Sequence, residues 1–70
     1  MHTKRIQVWV NQVHTVLNAP AHLSDAIAAA GVKPPFAAAV NMQFVPKKSY
    51  ANHVLQADDK IELIVPVTGG

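Results

Sequence analysis

Few side chains in this chain of 70 residues could carry out chemistry. There is no cysteine, which excludes a thiolate nucleophile, a thiolate metal site and a disulfide. None of the four histidines has another histidine or cysteine three or four residues away, or a carboxylate cluster beside it. They are His2, His14, His22 and His53. We therefore expect neither a metal centre nor a histidine-based catalytic site.

The remaining candidates are hydroxyl groups and the end of the sequence. Ser24 and Ser49 lack the context of a nucleophilic triad. The chain has no glycine-rich phosphate loop, so we expect it not to bind ATP by itself. The sequence ends in Gly69-Gly70, and glycine lets a backbone approach other atoms closely at any φ. Taken alone, a diglycine end is more typical of a frayed terminus than of a reactive one.

The composition predicts one small globular domain over residues 1–70. Half of the residues are hydrophobic and 14% are charged, a balance that favours a packed core over disorder. A net charge of +2 and four scattered aromatic residues do not indicate a nucleic-acid surface. No apolar run approaches the roughly 20 residues of a membrane span, and Met1–Arg5 is not followed by a signal-peptide core. We expect a cytoplasmic protein that is monomeric when free.

The first half of the chain predicts a hairpin followed by a helix. Ile6–Val10 places apolar residues at every second position, and a turn at Asn11-Gln12 leads into a second strand, Val13–Leu17. One helix face then takes apolar residues at i, i+3, i+4 and i+7, namely Leu23, Ala26, Ile27 and Ala30. The helix has a weak N-cap at His22, and Gly31 is expected to end it in the left-handed conformation.

The second half predicts the rest of a sheet. Two short strands, Ala37–Val40 and Gln43–Val45, flank a tight turn at Asn41-Met42. Residues 47–55 predict a single helical turn or a compact loop. Lys60–Val67 alternates again and predicts the last strand. Its helix-facing residues are expected to be Ile61, Leu63 and Val65.

This order of elements predicts an α+β fold of the β-grasp, or ubiquitin-like, type. A small mixed sheet would carry one main helix packed across it, with the first and last strands parallel neighbours. The other face of the sheet would stay open to solvent. A ferredoxin-like fold would need a second full-length helix, and residues 47–55 are too short and too polar to supply one.

Several segments of the chain are similar to one known family, the ThiS group of bacterial sulfur carriers, and more broadly to ThiS and MoaD together. The first strand ends in Asn11, and Ala38–Pro46 resembles the family's central hairpin. Tyr50 stands where an aromatic residue is usual. Leu55–Leu63 resembles the family pattern Leu-x-Asp-Gly-Asp-x-Ile-Glu-Ile, and Gly-Gly ends the sequence. Asp58 departs from the glycine of that pattern.

The resemblance implies a chemistry for the end of the chain, in which the chain is acted on by partner enzymes, is not itself an enzyme and binds no cofactor of its own. A ThiF-like activating enzyme would use ATP to adenylate Gly70. A sulfur donor, a desulfurase, would then convert the adenylate to a thiocarboxylate, and thiazole synthase would accept the sulfur in thiamine biosynthesis. The tail that enters the activating enzyme is expected to be flexible over Val67, Thr68, Gly69 and Gly70. Without cysteine, carried sulfur would have to sit on the terminal carboxyl.

A partner-binding surface is predicted on the open face of the sheet. Alternation points one set of side chains away from the helix: Trp9, Phe44, Glu62 and Ile64. Exposed apolar patches mark interaction sites, and tryptophan is frequent among interface hot spots. Trp9 is expected to lie beside Ile64 if the first and last strands are neighbours. Lys47 and Lys48 could steer an acidic partner, whereas Lys60 is more typical of a solvated surface.

Three other functions stay open at this point. The ending Pro66–Gly70 resembles MoaD as much as ThiS, so the chain could be the small subunit of molybdopterin synthase. It could also be a ubiquitin-like modifier attached to lysines, or an interaction domain without terminal chemistry. The short link Gly31–Phe36 between helix and third strand favours the ThiS-type function over the MoaD-type one.

Overall fold

The structure is a computed structural model that describes residues 4–66. Its elements are β1 (Arg5–Val10), β2 (Val13–Asn18), α1 (Leu23–Ala30), β3 (Ala37–Val40), β4 (Gln43–Val45), a short 3₁₀ helix (Lys47–Ser49) and β5 (Lys60–Ile64). The strands form one sheet in the order β2-β1-β5-β3-β4. β1 and β5 run parallel, and every other neighbouring pair is antiparallel. This mixed sheet with one helix is the predicted β-grasp arrangement.

The core lies between α1 and one side of the sheet. Strand alternation sends every second residue of β1 and β5 to that side, and the helix contributes two fully buried residues, Leu23 and Ala26. The buried apolar residues form one cluster: Val8, Val10, Ala21, Leu23, Ala26, Ala38, Val40, Val45, Leu55, Ile61 and Leu63. Burial of a side chain such as Ile61 stabilises the fold by about 1.5–3 kcal/mol.

Loop carbonyls compensate for the weak N-cap of α1. Leu23 and Ser24 donate their backbone N–H groups to the carbonyls of His53 (2.9 Å) and Tyr50 (3.0 Å). Asp25 accepts from the His22 backbone N–H at 2.8 Å. Helix N–H groups without an intrahelical partner are thus satisfied by the loop that follows β4.

At the C-terminal end of α1, the structure agrees with the sequence-based prediction for Gly31 and differs from it for Ala30. Gly31 ends the helix with φ 70, as predicted. The prediction that Ala30 lies on the buried face is wrong, because Ala30 is exposed. The helix is only eight residues long, and its buried residues lie in its first half.

The two hairpin turns have matching geometry. Asn11 and Gln12 have φ values of 50 and 69, and Asn41 and Met42 have φ values of 51 and 70. Positive φ at both central residues matches the twist of the flanking strands in two-residue hairpins. Asparagine tolerates this region better than most residues, which accounts for the first central position of each turn. Gln12 and Met42 adopt positive φ at the second position without this preference.

The last strand is shorter than predicted. β5 ends at Ile64 rather than Val67, and Val65 is 52% exposed instead of facing the helix. β3 begins at Ala37, whose partner is Ile64, so pairing on that edge has no strand residue to continue with. Pro66 has no backbone N–H for a ladder hydrogen bond.

Asp58 takes the place of the expected turn glycine, and its backbone N–H still has a hydrogen-bond partner. Its φ is 69. Its backbone N–H donates to the Gln7 carbonyl at 2.7 Å, and its carboxylate accepts from Gln7 Nε2 at 3.1 Å. Gln7 of β1 therefore holds the turn that leads into β5, and these contacts offset the modest strain of a non-glycine residue at positive φ.

Within residues 4–66, no helix has the length and apolar character needed to cross a membrane.

Candidate functional site

The residues predicted to carry the chemistry lie at the very end of the sequence. Val67, Thr68, Gly69 and Gly70 fall outside the described residues 4–66. The structure does describe the strand that leads to them. β5 is the central strand of the five, with β1 on one side and β3 on the other. The chain therefore leaves the middle of the sheet after Ile64.

The four predicted partner-binding residues lie on the side of the sheet away from α1, which we call the outer face. Phe44 is 70% exposed, Ile64 57% and Trp9 37%, and Glu62 is exposed as well. The side chain of Phe44 therefore points outward, together with those of the three other residues. The partner-binding role of this set stays a prediction.

Strand register separates Trp9 from Ile64, so the expectation that they are neighbours is wrong. Trp9 lies opposite Lys60 in the parallel β1–β5 pair. Ile64 is four residues further along β5, about 13 Å at the rise of a strand. Trp9 packs instead against His14 of β2, with ring centroids 5.2 Å apart in an edge-on arrangement.

Glu62 lies between the two aromatic residues of the outer face. Ala39 of β3 pairs with Glu62 on one side and with Phe44 on the other. On its β1 side, Glu62 lines a shallow depression together with Trp9. The outer face thus carries Phe44 and Ile64 towards one end, Trp9 and His14 towards the other, and a carboxylate between them.

Two asparagines that the sequence identified only as turn residues also hold β5. Asn11 accepts from the Leu63 backbone N–H at 2.8 Å and donates to the Leu63 carbonyl at 3.3 Å. Asn41 accepts from the Lys60 N–H at 3.0 Å and donates to the Asp59 carboxylate at 2.9 Å. Their position in the turns was visible in the sequence, but these contacts depend on strand order.

No group of three or more histidine, cysteine or acidic residues within residues 4–66 could hold a metal ion. His22 Nδ1 lies 3.7 Å from Asp25 Oδ2, across one turn at the start of α1. Their contact belongs to the helix N-terminus, where a carboxylate is favourable.

Comparison with known proteins agrees with this geometry. The model of the ThiS family matches residues 3–70. A solved structure of thiamine biosynthesis protein ThiS from Geobacter metallireducens superposes with a TM-score of 0.73 at 13% sequence identity. The match covers 93% of this chain and 100% of that chain. At this identity the likeness shows a shared fold. No curated protein matches the chain by sequence.

Proposed function

Because this chain belongs to the ThiS family, we propose that it is a sulfur carrier of thiamine biosynthesis that works through the carboxyl group of Gly70. The observation that carries this proposal is a family match that runs through the diglycine at residues 69 and 70. The name of the similar Geobacter protein also refers to thiamine biosynthesis. The chain would be a protein cosubstrate rather than an enzyme.

The proposed chemistry has two steps at one carbon atom. A carboxylate is a poor electrophile, so an activating enzyme of the ThiF type first joins Gly70 to AMP at the expense of ATP. The outer sulfur of a persulfide formed on a desulfurase then attacks the adenylate carbonyl and displaces AMP, which leaves an acyl disulfide. A thiol reductant supplies the two electrons that cleave this S–S bond, which frees the thiocarboxylate that thiazole synthase consumes. The carrier supplies no acid, base or bound cofactor in this scheme. Since it depends on ATP, we propose that it takes place in the cytoplasm.

The two glycines suit a reaction inside a narrow channel. Glycine has no Cβ, so the backbone at residues 69 and 70 could lie against ATP and the channel wall without a clash. Gly70 is six residues beyond Ile64, the end of β5. A fully extended segment of that length reaches about 20 Å, enough to enter a partner while the folded domain stays outside.

Intact-mass spectrometry tests the proposal. The chain ending at Gly70 is incubated with a ThiF-type enzyme, ATP and a sulfur source. We expect first the mass of one AMP, and then replacement of one oxygen by one sulfur, both located at Gly70 by fragmentation. Absence of both adducts would contradict the proposal. Capture of thiazole synthase, rather than the catalytic subunit of molybdopterin synthase, would distinguish the two pathways.

We also propose that the activating enzyme docks on the outer face around Ile64. Replacing Ile64 with Asp places a charge in this apolar contact, and loss of an interface hot spot costs at least about 2 kcal/mol, or roughly 30-fold in affinity. Binding of the purified enzyme can be measured by titration calorimetry. The fold should persist because Ile64 is 57% exposed.

Val16 offers a matched control for this substitution. It is 53% exposed and lies on the outer face, opposite Gln7, in the edge strand β2. Val16→Asp introduces the same charge at a distance from β5 and should leave affinity within about twofold, as is usual for exposed positions outside a contact. Equal affinities of the two variants would count against docking around Ile64.

A further inference from the structure

The carboxamide of Asn11 continues the hydrogen bonding of β5 beyond the end of β1. Regular pairing of these parallel strands stops at Val10 and Ile61, because the chain turns at Asn11. The Asn11 backbone N–H donates to the Ile61 carbonyl at 2.9 Å. Its side-chain carboxamide then accepts from the Leu63 backbone N–H at 2.8 Å and donates to the Leu63 carbonyl at 3.3 Å. One side chain therefore substitutes for the missing strand neighbour.

The Asn11 side chain is one of two partners that hold the end of β5. On the opposite edge, β3 pairs with β5 as far as Ile64. Ile64 is thus held by the β3 backbone on one side of β5, and Leu63 is held by the Asn11 carboxamide on the other side. Both Asn11–Leu63 hydrogen bonds are partly buried, so water competes with them less than at an open surface.

We propose that Asn11 is a positioning residue for the end of the chain that carries the reactive carboxyl. The proposal rests on the function proposed above. By anchoring Leu63, Asn11 sets the point and direction in which the chain leaves the sheet. If this anchor is lost, the end of β5 is less ordered in the free carrier, and the activating enzyme must order it on binding. The entropy of ordering even one residue corresponds to about a tenfold rise in the KM for the carrier.

The structure supplies a matched pair of variants, Asn11→Gly and Asn41→Gly. The two asparagines occupy equivalent turn positions with φ values of 50 and 51, where glycine is free of strain. Each substitution removes two side-chain hydrogen bonds. Asn11 acts near the end of β5, at Leu63, whereas Asn41 acts at the first residue of β5, Lys60. A purely structural role would affect both variants alike.

Amide hydrogen exchange tests the anchor without any partner. At a temperature where both variants are fully folded, Asn11→Gly should speed exchange at Leu63 about tenfold relative to Asn41→Gly, since the Leu63 N–H loses its acceptor. Exchange at Val8 in the core, measured in the same samples, controls for global stability. Equal exchange at Leu63 in the two variants would overturn the proposal.

Adenylation kinetics test the positioning role. Asn11→Gly should raise the KM for the carrier about tenfold and leave kcat within about twofold, since the bound chain end is still the same substrate. Asn41→Gly should match the wild type. Equal KM values for the two variants would contradict the positioning role while the proposed function stands. Failure of the wild type to accept AMP would instead overturn the proposed function and this role with it.

Discussion

A chain that lacks Gly70 is expected to accept AMP at least about 100-fold more slowly than the full chain. One residue spans about 3.5 Å of extended backbone, so the new terminal carboxyl on Gly69 would stop short of the ATP phosphate. Misplacement of a reacting group by about 1 Å can already cost a factor of 100. The measurement is the initial rate of adenylate formation with a ThiF-type enzyme, followed by intact mass.

Replacement of Gly70 by Ala separates chain length from backbone freedom. This variant keeps the carboxyl at its normal distance and adds only a Cβ. We expect it to react more slowly than the full chain and faster than the deletion. The thermal unfolding midpoint should be unchanged in both, because neither variant alters a residue of the buried cluster between α1 and the sheet. Adenylation of the deletion variant at the rate of the full chain would exclude Gly70 as the modified residue.

Replacing Ile61 with Ala is expected to lower the free energy of unfolding by about 2–5 kcal/mol. Ile61 is 1% exposed and belongs to the buried cluster between α1 and the sheet. Loss of three carbon atoms there removes apolar burial and leaves a cavity that the close-packed neighbours fill only in part. In a domain of this size each kcal/mol shifts the melting temperature by about 4–8 °C, so a drop of at least about 8 °C should be visible by circular dichroism.

Ile64 provides the control on the same strand. It is the same residue type three positions away, on the opposite face, and is 57% exposed. Ile64→Ala should change the free energy of unfolding by no more than about 0.5 kcal/mol. The pair therefore separates core packing from the proposed docking role of the outer face. Similar melting temperatures for the two variants would mean that the assignment of faces in β5 is wrong.

The local elements could be predicted because their causes are local. Alternation in β1 requires only that one side of a strand meets an apolar core. Gly31 ends α1 because the residue after the helix has φ 70, which glycine adopts without strain. The end of β3 and the start of β4 agreed with the sequence because the turn at Asn41-Met42 lies between them. From the order of these elements, only a few compact arrangements were possible, and β-grasp was one of them.

The predictions that proved wrong concern residues whose surroundings come from distant parts of the chain. The inward orientation of Val65 followed from alternation alone, but β5 ends at Ile64 because its pairing with β3 ends there. Ala30 continued the apolar stripe of α1 in sequence, yet it is exposed, and the buried residues of α1 lie in the first half of the helix. The pattern of residue types in one strand or helix does not reveal the length of the element that it packs against or pairs with.

The sequence by itself determined the type of fold, the apolar side of each strand and the two glycines to which we assign the chemistry. The tertiary structure alone decided that Trp9 lies opposite Lys60 and far from Ile64, and that the Asn11 side chain holds Leu63. Those contacts join residues about fifty positions apart. They depend on strand register, and a shift in register rearranges every cross-strand neighbour while leaving the local sequence pattern unchanged.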